Sequence, residues 1–133
     1  MIFRRRVLPP ELVAPHTAFT DVLAEVEPAK EALTACMPTT RMPGRPLPDA
    51  LLEFETRLDR ARSRMVEWLC PPLERDWEAC DAGLGSALEL ARRLRLEAPD
   101  LGGFEGLLGT VEALIDTLTP FESAERTFSD LRV

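Results

Sequence analysis

Asparagine, glutamine and tyrosine are missing from the chain altogether, and histidine occurs once, as His16. Those side chains supply most neutral hydrogen bonding, proton shuttling and base-edge reading. Any catalysis without them rests on carboxylates, arginine, hydroxyls and thiols, so the reading leans away from an enzyme. No apolar run approaches the ~20 residues that a membrane span needs. The opening Arg4-Arg5-Arg6-Val7-Leu8 has the basic start of a signal peptide, but Pro9, Pro10 and Glu11 interrupt the apolar stretch that should follow. The expected location is the cytoplasm. Cysteine is scarce and odd in number: Cys36, Cys70 and Cys80. That count argues against a disulfide framework, and the spacing matches neither a zinc site nor a redox pair.

Lysine is almost absent, since Lys30 alone breaks a set of 16 basic residues that are otherwise arginine. With abundant Ala, Leu, Gly and Pro, this resembles the codon bias of a GC-rich bacterial genome. The 133 residues carry 45% apolar and 29% charged side chains, the balance of a single globular domain spanning residues 1–133. A net charge of −7 repels phosphate backbones and anionic membranes, so neither is an expected partner.

Apolar residues recur at helical spacing in four segments, and nothing alternates as a strand does. The first helix is expected over 10–37, with Phe19, Val22, Val26, Leu33 and Met37 on one stripe and a kink at Pro28. Residues 38–48 hold four prolines and Gly44 and read as a stiff, extended linker. The second helix is expected over 49–69, its stripe running Leu51, Phe54, Leu58, Ala61, Met65 and Trp68. The third, over 72–97, carries Leu73, Trp77, Cys80, Leu84, Ala87, Ala91 and Leu94. The fourth, over 103–131, carries Phe104, Leu107, Val111, Leu114, Leu118, Phe121, Phe128 and Leu131, with a kink at Pro120. These predict an all-α, up-and-down four-helix bundle. The stripes of the second and third helices stay nearly in phase across Pro71-Pro72. One long kinked central helix, giving a three-helix arrangement, is therefore the alternative to a hairpin.

Chemistry-bearing constellations are few. His16 has no partner at helical spacing. Glu78 with Asp81, and Glu122 with Glu125, sit three apart, a local spacing that resembles the magnesium ligands of all-helical nucleotide pyrophosphohydrolases. The order and separation of that family's motifs are not met, so these read as solvated faces, and neither metal nor cofactor is expected. Gly102, Gly106, Gly109 and Ala113 share a face suited to close helix packing. Two candidate sites remain. Arg41 and Arg45, held in the stiff linker, could clamp an anion. Trp68 and Trp77 flank the Pro71-Pro72 corner and, if exposed, would anchor a partner. The leading functional expectation is a non-catalytic protein–protein interaction module, binding a protein partner or a second copy of itself. The alternative is a binder of a small apolar or anionic ligand between helices. A carboxylate-metal enzyme comes third.

Overall fold

The computed structural model describes residues 5–133; residues 1–4, with Arg4 of the basic opening, lie outside the described residues. Four helical rods pack side by side, and no strand occurs among the described residues. The rods are α1 (Pro10–Thr34), α2 (Leu47–Ser63), α3 (Glu74–Glu97) and a fourth made of α4 (Phe104–Asp116) and α5 (Pro120–Asp130). No helix among them is long and apolar enough to cross a membrane.

Proline, rather than side-chain capping, starts the helices. α1, α2 and α5 each have proline in the first turn, and none has a capping side-chain hydrogen bond. The fixed proline φ suits that position, where its missing N–H removes a donor that would otherwise lack a partner. Pro15 and Pro28 lie inside α1, yet the helix continues through both. At Pro120 the kink expected of the fourth helix takes the form of a break. The chain leaves α-helical bonding at Leu118 and Thr119, whose N–H groups reach back only three residues, to Ile115 O and Asp116 O. Pro120 then opens α5, with Thr119 itself still in the right-handed helical region. Proline supplies no N–H to continue the bonding ladder, so the fourth rod bends there.

Ion pairs and hydrogen bonds fix the direction of each rod. Glu25 meets Arg57 and Asp21 meets Arg64, so α1 and α2 are antiparallel. Asp59 meets Arg92 and Glu55 meets Arg95, so α2 and α3 are antiparallel. Asp76 accepts from Ser123 and Thr127 while Gly83, two turns on, lies against Thr117, so the fourth rod runs antiparallel to α3. The arrangement is the up-and-down bundle. Two 3-10 turns, Met65–Trp68 and Pro71–Leu73, reverse the chain between α2 and α3, which excludes the single kinked central helix. Near the chain ends, Val7 and Val133 exchange backbone hydrogen bonds of 2.9 and 2.8 Å.

The core is the four stripes meeting. Phe19, Trp68, Phe121 and Phe128 form its aromatic centre, with Phe19 meeting Trp68 edge-on at 4.9 Å between centroids. Such offset contacts favour the ring quadrupoles and add to area burial. Of the glycine face, Gly106 does let a backbone approach closely, but it is the Leu101 carbonyl just before α4 rather than another helix; Gly102 and Gly109 face open space, and Ala113 is exposed. A close approach between rods is at Gly83 of α3, where a Cβ would collide with the Thr117 carbonyl oxygen. The linker is also less extended than its prolines suggest. Thr39 N–H donates to Met42 O and Thr39 Oγ1 accepts from Met42 N–H, closing a turn. Arg45 N–H then ties the segment back to Ala35 O at 2.8 Å.

Candidate interaction site

The four side chains singled out from the sequence occupy three different places. Arg45 donates to Glu53 at 3.1 Å; Glu53 also accepts from Arg57, which reaches Glu25. The hydrogen bond from Arg45 is the largest influence on the Glu53 carboxyl; burial, the next, opposes it, and the Arg45 charge with the bond and charge of Arg57 keeps the group below the usual carboxylate range. The cation of Arg45 is thus already matched. Arg41 is exposed, and a surface groove that includes Arg45, Arg57 and Arg60 does not include it. The two linker arginines form no common clamp.

Trp68 is fully buried, at 0% exposure, and its indole N–H points at the Met65 sulfur, 3.2 Å away. Nothing approaching from outside touches it in this conformation. Trp77 is half-buried, and its indole N–H donates to the Met65 carbonyl at 2.7 Å. The tryptophans therefore brace the α2–α3 corner from within. What the corner exposes is aliphatic: Val66 and Leu69.

The opposite end of the α2–α3 pair holds a different feature. A cleft of about 230 Å³ opens between the start of α2 and the end of α3. Leu47, Pro48 and Leu51 form one wall. Leu94, Ala98, Pro99 and Leu101 form the other. Leu51 belongs to the core, whereas Leu47, Leu94 and Leu101 are part-buried, so the cleft runs from the surface down to the hydrophobic interior. Ala98 stands out in its backbone. With φ +43° and ψ +54° it is the only non-glycine residue with positive φ among the described residues, and it ends α3 in a left-handed conformation that glycine normally supplies.

One ionic group borders the cleft, and it is already neutralised. Arg95 Nε and Nη2 donate to Glu55 at 2.6 and 3.1 Å. Glu55 is the one charged residue buried among those described, and Arg92 adds a longer contact at 3.5 Å. The Glu55 hydrogen bond and charge push the Arg95 guanidinium further up, so it stays a cation. Glu97 and Asp100 are each next in sequence to a lining residue and exposed, and Asp100 accepts from the Gly102 N–H at 2.9 Å, whereas exposed Asp49 lines the separate groove of Arg45, Arg57 and Arg60. None of them takes part in an ion pair among the described residues.

Reactive groups elsewhere are subdued. All three thiols are free. Burial pushes the Cys36 and Cys70 thiols up, and burial together with Asp76 pushes Cys80 to about 12. Thiols held protonated are poor nucleophiles. His16 lies edge-on to Phe128 at 5.1 Å. Burial, then the charge of Arg132, lowers its pKa, while Glu125 opposes them. Among the described residues, no three of His, Cys, Asp and Glu come together in a way that could hold a metal ion.

Sequence reasoning missed the cleft because its walls come from residues about fifty positions apart. It also passed over Glu55, although a signal was present. Glu55 lies four residues after Leu51 and three before Leu58, on the buried side of α2. A carboxylate on an apolar stripe demands a cationic partner. No protein-family model matches this chain, and neither a curated protein nor a solved structure matches it.

Proposed function

We propose that this chain is a non-catalytic protein–protein interaction module that binds its partner at the α2–α3 cleft. The observation that carries the reading is an apolar cleft, continuous with the core, whose one bordering cation is already paired with Glu55. A site built for catalysis leaves reactive groups poised; here the thiols are held protonated, and Arg45 and Arg95 are matched to carboxylates. Three free thiols support a reducing, cytoplasmic setting. The arginine-rich composition supports a bacterial source, and the net charge of −7 disfavours nucleic acid as partner. The same acidity disfavours a second copy, because two acidic chains would meet. The alternative, a small ligand held between helices beside Arg41 or Arg45, has less support. The groove that includes Arg45 is of ligand size, about 360 Å³, but it lies open on the surface, its Arg45 and Arg57 are already paired with Glu53 and Glu25, and Arg41 is not part of it.

A photo-crosslinking amino acid placed at Leu101, and separately at exposed Glu112 on α4, tests the reading in native cells. The expected result is a discrete adduct from the cleft position and none from the control position. Absence of any adduct specific to the cleft would overturn it.

A further inference from the structure

We propose that α4 is a lid: it undocks from α3 and α1 as one unit while α5 and the other rods stay packed, and its undocking releases Leu101 from the wall of the α2–α3 cleft. This is independent of what the cleft binds and goes beyond the interaction reading.

The fourth rod is held unevenly along its length. α5 buries Phe121, Ala124 and Phe128 in 11 residues, and Asp76 of α3 accepts hydrogen bonds from its Ser123 and Thr127. α4 buries only Val111 and Leu114 in 13 residues. Its one side-chain hydrogen bond, from Thr110 to the Gly106 carbonyl, stays inside the helix. Among the described residues, the eight ion pairs all lie within α1, the linker, α2 and α3, and no hydrogen bond joins α4 to another rod. Local opening is resisted by buried apolar contacts and buried hydrogen bonds, so α4 is the helix with least to lose by it.

Both ends of α4 can absorb a rotation. Before it, Gly102 and Gly103 hold φ of +78° and +127°, and a Cβ on either would meet nothing within 4 Å. Glycine crosses these regions freely, and no packing opposes the change. After it, α-helical bonding stops at Leu118 and Thr119, before Pro120 begins α5. The Thr117 carbonyl rests against Gly83, which fixes this pivot on α3. A rigid segment between two such points is a hinged element. Gly106 links the lid to the cleft. Without a side chain there, the first turn of α4 sits on the Leu101 carbonyl, and Leu101 lines the cleft. Undocking removes that support, so the cleft widens at Leu101.

Hydrogen exchange on the full chain, across a urea series below the unfolding transition, tests the lid. Amide protection in 106–116 should be at least about a hundredfold lower than that of the best protected α3 amides, with a shallower urea dependence because less surface is exposed. Leu73 is buried in the turn that packs on α3 and α5, contacts that the open state keeps. Leu73→Ala should therefore lower α3 protection at least about tenfold and leave α4 protection unchanged. Methyl relaxation dispersion should give Leu101 and Leu114 one shared rate. Equal protection of α4 and α3 in the parent would show that α4 opens only with the whole bundle, and so would a loss in α4 that tracks α3 in the variant; either overturns the lid. A Leu101 methyl without the Leu114 rate would overturn the link to the cleft. These readouts use no partner, so the cross-linking result at Leu101 stands or falls separately.

Discussion

Across the α2–α3 interface, the Glu55 carboxylate receives two guanidinium N–H groups of Arg95, at 2.6 and 3.1 Å. The two partners are not equally dependent on the bond. The Glu55 side chain is 6% exposed and that of Arg95 is 33% exposed. Removing Arg95 strands a buried carboxylate, with Arg92 at 3.5 Å as partial relief. Removing the Glu55 charge leaves Arg95 able to turn to water. We therefore expect Arg95→Ala to lower Tm more than Glu55→Gln, which should cost about 1–2 kcal/mol as one charged hydrogen-bonded pair is weakened. The double replacement Glu55→Leu with Arg95→Leu should recover much of the loss, because a packed apolar pair avoids desolvating either ion. Calorimetry on the three variants decides it, and equal losses from the two single variants would contradict the asymmetry.

The stripes that define the four rods were legible because burial follows period. Every stripe residue of the second helix, from Leu51 to Trp68, is buried. Phe104 departs from the fourth stripe and stays exposed, since it begins α4 beyond the end of the facing helix. The hairpin was the preferred expectation, but the stripes alone did not decide it. Nearly in-phase stripes fit a reversal and a straight continuation alike, and the 3-10 turns at Met65–Trp68 and Pro71–Leu73 with the Asp59–Arg92 and Glu55–Arg95 pairs distinguish them. The cleft was equally hidden, because nothing local links Leu47 to Leu101. Glu55 was readable in principle, as a carboxylate at a position whose neighbours one turn away on either side are core leucines.

The two tryptophans should separate cleanly on substitution. Trp68 is buried against Phe19 and Phe128, so Trp68→Ala should cost roughly 3–5 kcal/mol through the cavity it leaves. Trp77→Phe keeps most of the packing and loses the bond to the Met65 carbonyl, so about 1 kcal/mol is expected. Acrylamide should quench Trp77 and spare Trp68 in the folded protein. Equal quenching of single-tryptophan variants would show that Trp68 is reachable from solvent.

Alkaline pH offers a test of the buried thiols. Cys80 titrates near 9.0 when free and near 12 when folded, because burial and then Asp76 disfavour the thiolate. Between those values the unfolded chain has released a proton that the folded chain keeps. Stability from this source is therefore complete below about pH 9 and is lost as pH rises toward 12. Cys36 and Cys70 shift in the same direction. The effect should be easy to see, since the chain has no tyrosine and a single lysine to titrate beside them. Urea unfolding at about pH 8 and about pH 10 should show a clear drop that Cys80→Ala reduces. An unchanged alkaline slope in that variant would rule out Cys80 as its source.

Acid pH reports on the single histidine. His16 sits against Phe128 with its pKa held below 6.5, first by burial and next by Arg132, with Glu125 opposing. The unfolded chain takes up this proton at higher pH than the folded chain does. Its contribution is therefore present above pH 6.5 and lost as pH falls through the folded value. His16→Leu should flatten the stability profile just below pH 6.5 while leaving the steeper carboxylate-driven loss further down. A profile identical to that of the parent would place the titration elsewhere.

Ala98 closes α3 in the left-handed region at φ +43°, where a side chain with a Cβ costs roughly 1–2 kcal/mol relative to the right-handed conformation. Glycine adopts that conformation freely, at an entropic cost of its own of about 0.5–1 kcal/mol. Ala98→Gly should therefore stabilise the fold by up to about 1 kcal/mol, read as a rise of a few degrees in Tm. The same change removes a methyl from the cleft wall. If the cleft holds a partner, the stabilised variant should give less of the Leu101 cross-linked adduct than the parent. A rise in Tm with a loss of adduct would mean that the alanine is retained for the contact it makes rather than for the helix it ends. A fall in Tm would show that the left-handed turn is not under strain, and a rise in Tm with unchanged adduct would show that the methyl makes no contact with the partner.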